Sequence, residues 1–464
     1  MKADFINHQE ILNTLKWADE NKGNHEMIDA IMVKAAAKNG LTPREASLLL
    51  VSDKTDELFK LAKGIKDEFY GGRVVLFAPL YLSNYCVNGC TYCPYRLENE
   101  DMPRRKLSQD DIAREVVALQ EMGHKRIVIE AGEHPKYNNI EYIIECIRTI
   151  QNTKYKNGAI RRVNVNIAAA TAEEYRKLKA ADIGTYILFQ ETYHKPTYEA
   201  LHPSGPKADY DWHTTAHDRA MQAGLDDVGV GVLFGLYDYR YELAAILMHA
   251  DHLERMYGVG PHTVSLPRIR SAQGIDSSNF PNAIDDATFA RLVATVRVAV
   301  PYTGIIISTR ETESCRKIAL DLGATQISGG SKTTVGGYAE DTNEDYDGTD
   351  QFDLCDHRTL GEIVDWLIEG GFIPSFCTAC YRLGRTGDRF MDLCKSGQIL
   401  NCCHPNALTT LQEYLLDYAP DNPAKAAAEV VIQAGIQNIP SEKMREITTA
   451  NLQKIKEGGR DYYV

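Results

Sequence analysis

The chain has 464 residues, 44% of them hydrophobic, and carries a net charge of −13. That length exceeds a usual single core, so one large domain with extensions, or two domains, is expected. The acidic balance argues against a nucleic-acid or anionic-membrane surface, and RRK at 104–106 reads as a solvated loop. The longest apolar runs, Val74 to Leu82 and Val228 to Leu236, are too short to span a bilayer. The N-terminal MKADFINHQE has no apolar leader, so a cytoplasmic location is expected.

Residues 1–72 predict a helical extension, with amphipathic stretches EILNTLKWA and REASLLLV, the second opening after Thr42-Pro43. From Arg73 to residue 372, β-rich runs alternate with helical periods. The runs are 73–82, 126–132, 162–168, 185–191, 227–235, 262–268, 304–310 and 325–330. The helical segments between them include SQDDIAREVVALQEM, TAEEYRKLKAA and DDATFARLVATVRVAV, each beginning with a residue suited to an N-cap. Eight such units predict an α/β fold, a parallel (β/α)8 TIM-like barrel. The competing open doubly wound sheet lacks its glycine fingerprint after the first strand. YAEDTNEDYDGTDQFDLCD (338–356) reads as an acidic loop and HRTLGEIVDWLIEGG as the last barrel helix. Residues 373–464 read as a separate helical module.

Eleven cysteines without a leader point to metal ligation or catalysis rather than disulfides. Cys146, Cys315, Cys355, Cys394 and Cys402 are scattered and read as buried or incidental thiols. The string CVNGCTYC, with Cys86, Cys90 and Cys93, follows the first strand in a C-x3-C-x2-C spacing. Three thiolates suit three irons of a 4Fe-4S cluster and leave the fourth iron open, whereas closed structural zinc wants a fourth ligand. The end of a barrel strand is also where barrel chemistry sits.

These residues resemble the radical SAM superfamily. The resemblance implies that the open iron binds S-adenosylmethionine (SAM), whose reductive cleavage gives a 5′-deoxyadenosyl radical. It implies that Cys86, Cys90 and Cys93 are the catalytic cluster ligands. Tyr92 matches the family aromatic near the adenine. Gly132 and Glu133 of AGE match a Gly-Gly-Glu motif that contacts the SAM amino group, with Ala131 in place of its first glycine. Gln190 and Glu191, ending the fourth strand, are further candidates for SAM contact.

A second group, Cys377 and Cys380 in CTAC with Cys403 in CCHPN, reads alone as zinc, a redox pair or a cluster. Cys394, Cys402 and His404 are near enough in sequence to complete a zinc tetrahedron. The larger text CTACYRLGRTGDRFMDLCKSGQI…CHPNALTTLQEYLLDYA resembles the tyrosine lyases that mature iron-only hydrogenase. So do the blocks at 190–213, 226–242 and 260–270. The resemblance covers barrel and C-terminal module alike, and implies an auxiliary 4Fe-4S cluster on Cys377, Cys380 and Cys403. It implies an extra labile iron on His262, with an added cysteine as a further candidate ligand. Without the resemblance, His262 reads as a capping or hydrogen-bonded histidine.

The activity implied is cleavage of the Cα–Cβ bond of L-tyrosine to p-cresol and dehydroglycine, with CO and cyanide forming on iron. The implied partners are an electron donor such as flavodoxin or ferredoxin and other hydrogenase maturation proteins. Arg310, with Ser308 beside it, is the candidate clamp for the tyrosine carboxylate, because a guanidinium offers paired donors. Arg268 and Arg270 compete for that role, and pairing of Arg310 with Glu311 or Glu313 is the structural alternative. Two other functions stand beside the tyrosine lyase that makes CO and cyanide. One is a single-cluster lyase feeding dehydroglycine to thiazole synthesis, and the other a non-catalytic iron-sulfur scaffold.

Overall fold

The structure is a computed structural model that describes residues 2–339, 349–419 and 424–464. Eight strands close a parallel barrel: β1 Arg73–Ser83, β2 Arg126–Ala131, β3 Arg162–Asn166, β4 Tyr186–Glu191, β5 Val228–Val232, β6 Thr263–Ser265, β7 Gly304–Ile307 and β8 Gln326–Ser328. They run in chain order around the barrel, and β8 returns to pair with β1. The helices return on the outside, as a parallel sheet with crossover connections requires. Their starts are fixed by capping boxes, Ser108 with Asp111, Thr171 with Glu174 and Thr359 with Glu362. Of the acidic loop, residues 338–339 and 349–356 form no helix or strand, and the rest of it lies outside the described residues. Among the described residues, no helix is long and apolar enough to cross a membrane.

The helical reading of residues from Ile373 needs one correction. Ile373–Ser375 is a ninth parallel strand, β9, beside Arg73–Val75 of β1. Three residues ending in Pro374-Ser375 carry too little alternation to announce a strand, and pairing to β1 decides their conformation. This strand carries the chain to Cys377 at the lower mouth of the barrel. Beyond it, the helix Leu400–Asp417 packs on β9. At the start of the chain, helices His8–Asn21, His25–Ala36, Pro43–Val51 and Thr55–Tyr70 pack mainly on the barrel helices Tyr239–Tyr257 and Asp286–Ala299.

Strand side chains alternate in direction, so residues two apart enter the lumen at rising heights. Along β1 the lumen receives Arg73, Val75, Phe77, Pro79 and Tyr81. Along β2 it receives Arg126, Val128 and Glu130, and along β7 Gly304, Ile306 and Ser308. Phe77, Val128, Ile187 and Ile306, with Phe189 against them, form an apolar layer across the middle. It divides an upper cavity of about 230 Å³ from a lower one of about 40 Å³.

The helix Leu400–Asp417 is fastened to the barrel by charge as well as packing. Lys125, just before β2, bonds Glu413 at 2.7 Å, and their side chains are 4% and 1% exposed. Removing one member leaves the other charge buried alone. Glu413→Ala is expected to lower unfolding stability by about 3–5 kcal/mol. Denaturant titration of the variant, followed by circular dichroism, checks it, and a loss below about 1 kcal/mol would contradict a buried pair.

Candidate functional site

The upper cavity brings together most of the residues singled out from sequence. Cys86, Cys90, Tyr92, Cys93, Gly132, Glu133, Glu191, Ser308 and Arg310 all line it. The cysteine loop is tied to the barrel through its own backbone. Val87 N donates to Glu133 O at 2.8 Å, and Thr91 N to Leu201 O at 3.0 Å. Asn88, inside the cysteine motif, donates from Nδ2 to Glu133 Oε2 at 2.6 Å, while its Oδ1 accepts from Lys207 N at 2.9 Å. Gly132 is a site of close approach, because a Cβ there would meet Tyr85 O at 2.5 Å. The Tyr92 hydroxyl meets His202 Nε2 at 2.8 Å, which fixes the ring against the loop.

Burial sets the electrostatics. It pushes the Cys90 thiol up, and the Cys93 thiol up to about 12, against the pull of Lys207. Burial likewise raises Glu133, opposed by the Asn88 hydrogen bond and by Lys207. The Cys90 and Cys93 thiols therefore stay protonated until a metal displaces their protons. Three soft donors on one loop, with a carboxylate and open space above them, fit a cluster with an open iron.

Gln190 requires correction as a SAM-contact candidate. Its amide is buried away from the lumen, donating to Thr214 Oγ1 at 2.9 Å. Phe189 and Glu191, two residues apart, both face the cavity, and Gln190 between them lies on the other side of the strand. Glu191 takes a left-handed backbone, φ 67°, and its Oε1 accepts from Lys207 Nζ at 2.8 Å. Lys207 was not legible from sequence, since it sits in the single-turn 3-10 helix Pro206–Ala208 with no motif of its own.

The arginine candidates separate cleanly. Arg268 is held by Glu311 on two nitrogens and by Asp286 at 2.8 Å, and it fills the acidic cluster of Asp286, Glu311 and Cys315. Arg270 donates to Arg310 O and to Glu311 Oε2, each at 2.8 Å. Glu313 pairs with Arg358 at 3.2 Å. The Arg310 guanidinium lies 3.4 Å from the centroid of the Phe352 ring and makes no hydrogen bond among the described residues. Its fork faces the cavity free.

The lower cavity gathers Cys377, Cys380, Cys403 and His262. Cys380 Sγ and Cys403 Sγ lie 3.9 Å apart. The bond from Cys380 lowers Cys403 to about 6 despite burial, with Arg73, Arg385 and Arg126 adding to the effect, while Cys380 is raised. His262, just before β6, meets Tyr381 Oη through Nε2 at 3.2 Å. Its Nδ1 lies 3.5 Å from Asp227 Oδ1 without a hydrogen bond, so a buried donor atom is left over. Burial pushes His262 down, keeping the imidazole neutral and able to ligate. Thr378 Oγ1 and Arg126 Nε are also buried without partners. Three thiols under a ring of guanidinium groups fit an iron-sulfur cluster, whose net charge those cations favour.

The alternative zinc set is not assembled. His404 Nε2 is bonded to Gly435 O at 3.0 Å, and Cys394 is buried beside Tyr70 and Arg297. Neither they nor Cys402 line the lower cavity. Among the described residues all eleven cysteines are free.

Comparison with known proteins agrees with this geometry. Residues 80–248 match the radical SAM superfamily, and residues 265–373 match the biotin and thiamin synthesis associated domain. The 2-iminoacetate synthase of Escherichia coli (strain K12) is 29% identical over 380 residues, which are 81% of this chain and 97% of that protein. A solved structure of HydG, a maturase of the FeFe-hydrogenase, is 53% identical and superposes with a TM-score of 0.96, covering 100% of both chains. The HydG maturase of Carboxydothermus hydrogenoformans is 38% identical with a TM-score of 0.83, covering 97% of this chain and 99% of that one. On its whole-length agreement with these maturases, the chain belongs to the HydG family of the radical SAM superfamily.

Proposed function

We propose that this enzyme is a radical SAM tyrosine lyase that cleaves L-tyrosine at Cα–Cβ to p-cresol and dehydroglycine. CO and cyanide for the hydrogenase cofactor then form at a second centre. Membership in the superfamily implies a 4Fe-4S cluster and SAM. The observation that carries the rest is the pair of thiol triplets in one barrel, one above and one below the apolar layer. The 2-iminoacetate synthase match leaves part of this chain without a counterpart, whereas the HydG match covers all of it. That difference favours the two-centre reading over a single-cluster lyase.

In this reading residues 1–72 are a helical extension, 73–372 the barrel and 373–464 the module that holds the auxiliary cluster. Cys86, Cys90 and Cys93 hold the SAM cluster, and Cys377, Cys380 and Cys403 the auxiliary one, with His262 on its labile iron. Bound together, the clusters and SAM supply the 5′-deoxyadenosyl radical above and the iron on which CO and cyanide form below. The chain's own contribution is binding and orientation. Tyr92 walls the adenine pocket, Gly132 and Glu133 receive the SAM amino group, and Glu191 with Lys207 borders the ribose. Arg310 and Ser308 hold the tyrosine carboxylate. The apolar layer keeps water from crossing between the two reactions. A flavodoxin or ferredoxin as electron donor, the other maturation proteins as recipients and the cytoplasm as the place of action belong to the same reading.

Anaerobic reconstitution followed by assay for p-cresol, CO and cyanide tests this function, and absence of all three with tyrosine would refute it. Arg310→Lys keeps the charge and loses the planar fork. Tyrosine binding should weaken about tenfold or more, with SAM affinity within about twofold of wild type. Unchanged tyrosine affinity would move the clamp to Arg270. Cys377→Ala with Cys380→Ala should keep p-cresol formation while CO, trapped by a haem protein, falls about tenfold or more. His262→Ala should show a milder loss of CO. Normal CO from the double variant would make the C-terminal triplet structural.

A further inference from the structure

The upper cavity holds two carboxylates on its central strands that are differently employed. Glu191 is closed in its ion pair with Lys207 at 2.8 Å. Glu130 touches no cation among the described residues. Asn166, its register partner on β3, stands beside it and pulls its carboxyl down. Tyr81, its register partner on β1, stands on the other side and donates to Gln351 Oε1 at 2.8 Å. Arg310 faces the same space and feels Glu130 electrostatically, yet the two form no ion pair. Besides Glu133, which is bonded to Asn88, the cavity thus presents one free guanidinium and one further carboxylate without an ion pair, opening on a common volume. An amino-acid zwitterion carries the complementary charges on a single carbon.

We propose that Glu130 receives the ammonium group of the bound amino acid and accepts a proton from it, while Arg310 holds the carboxylate. This rests on the tyrosine-lyase reading and assigns the group that readies its substrate. One N–H bond of the ammonium breaks, its electron pair stays on nitrogen, and an O–H bond forms on Glu130. Ammonium and carboxylate become neutral amine and carboxylic acid, and no electron changes hands. The step matters because removing a hydrogen atom from an ammonium would leave a radical cation in a poorly solvated cavity. Removal from a neutral amine leaves a neutral radical.

Glu130 is poised for this exchange. Burial raises it to about 8, with Asn166 and Arg310 pulling down and Glu191 pushing up. Tyr81 and Tyr95 also face it and are themselves raised by burial, so they stay neutral. Glu130 is therefore held toward its protonated form at neutral pH. Binding the ammonium form requires the carboxylate and releases that proton. Tyrosine affinity should accordingly rise as the pH climbs toward this value.

The test uses reconstituted holoenzyme with SAM, wild type against Glu130→Gln and Glu130→Asp. In Glu130→Gln, tyrosine-dependent 5′-deoxyadenosine should fall about 100-fold or more. The pH dependence of tyrosine affinity should vanish, and Glu130→Asp should recover part of both. Binding of 3-(4-hydroxyphenyl)propanoate, which keeps the ring and carboxylate but has no amine, should stay within about threefold of wild type. Retained turnover in Glu130→Gln beside an active wild type would overturn the proposal alone. Equal loss of tyrosine and of the amine-free analogue would also overturn it, leaving Glu130 a packing role. A wild type that makes neither 5′-deoxyadenosine nor p-cresol from tyrosine would overturn the lyase reading and the proposal together.

Discussion

Closing eight parallel strands into a barrel forces every second side chain into one narrow lumen, and the organisation of this protein follows from that constraint. A single strand must furnish floor, wall and rim in steps of two residues. β1 does so with Arg73 and Val75 below, Phe77 in the middle and Pro79 and Tyr81 above. β2 repeats the gradient with Arg126, Val128 and Glu130. Polar, apolar and polar levels therefore stack along the axis. The apolar level contributes core burial and at the same time keeps two polar chambers distinct.

The two chambers solve the problem of holding thiolates differently. Above, one short loop brings three thiols together, and its geometry depends on backbone contacts to β2 and on Asn88. The local cation, Lys207, is already matched by Glu191. Below, the thiols come from two segments, after β9 and within Leu400–Asp417, so they meet only when that helix is docked. There the compensating charge comes from Arg73, Arg126 and Arg385. The Lys125–Glu413 pair that fastens this helix is thereby also a condition for assembling the lower triplet.

Much of this was legible in the sequence. All eight barrel strands were announced by short β-rich runs, and several of the barrel helices by Ser, Thr or Asp at their starts. Both cysteine triplets and His262 were singled out from spacing and resemblance, and the structure brings each set to one cavity. The failures are local. Ile373–Ser375 is too short to show alternation, and Gln190 lies on the outward face of β4 between lumen-facing Phe189 and Glu191. Lys207 and Tyr381 come from connecting and module segments whose approach to the lumen depends on tertiary packing, which no periodicity encodes. Glu130 was hidden inside an apolar strand, where a lone carboxylate carries no motif.

The central claim is that one barrel serves two metal centres of unlike accessibility, only the upper of which meets SAM. Electron paramagnetic resonance of the anaerobically reconstituted, reduced protein, with and without SAM, tests it most directly. The account predicts two distinguishable cluster signals, one changed by SAM and one indifferent to it. A single signal, altered in full by SAM, with zinc bound in the C-terminal module, would contradict it.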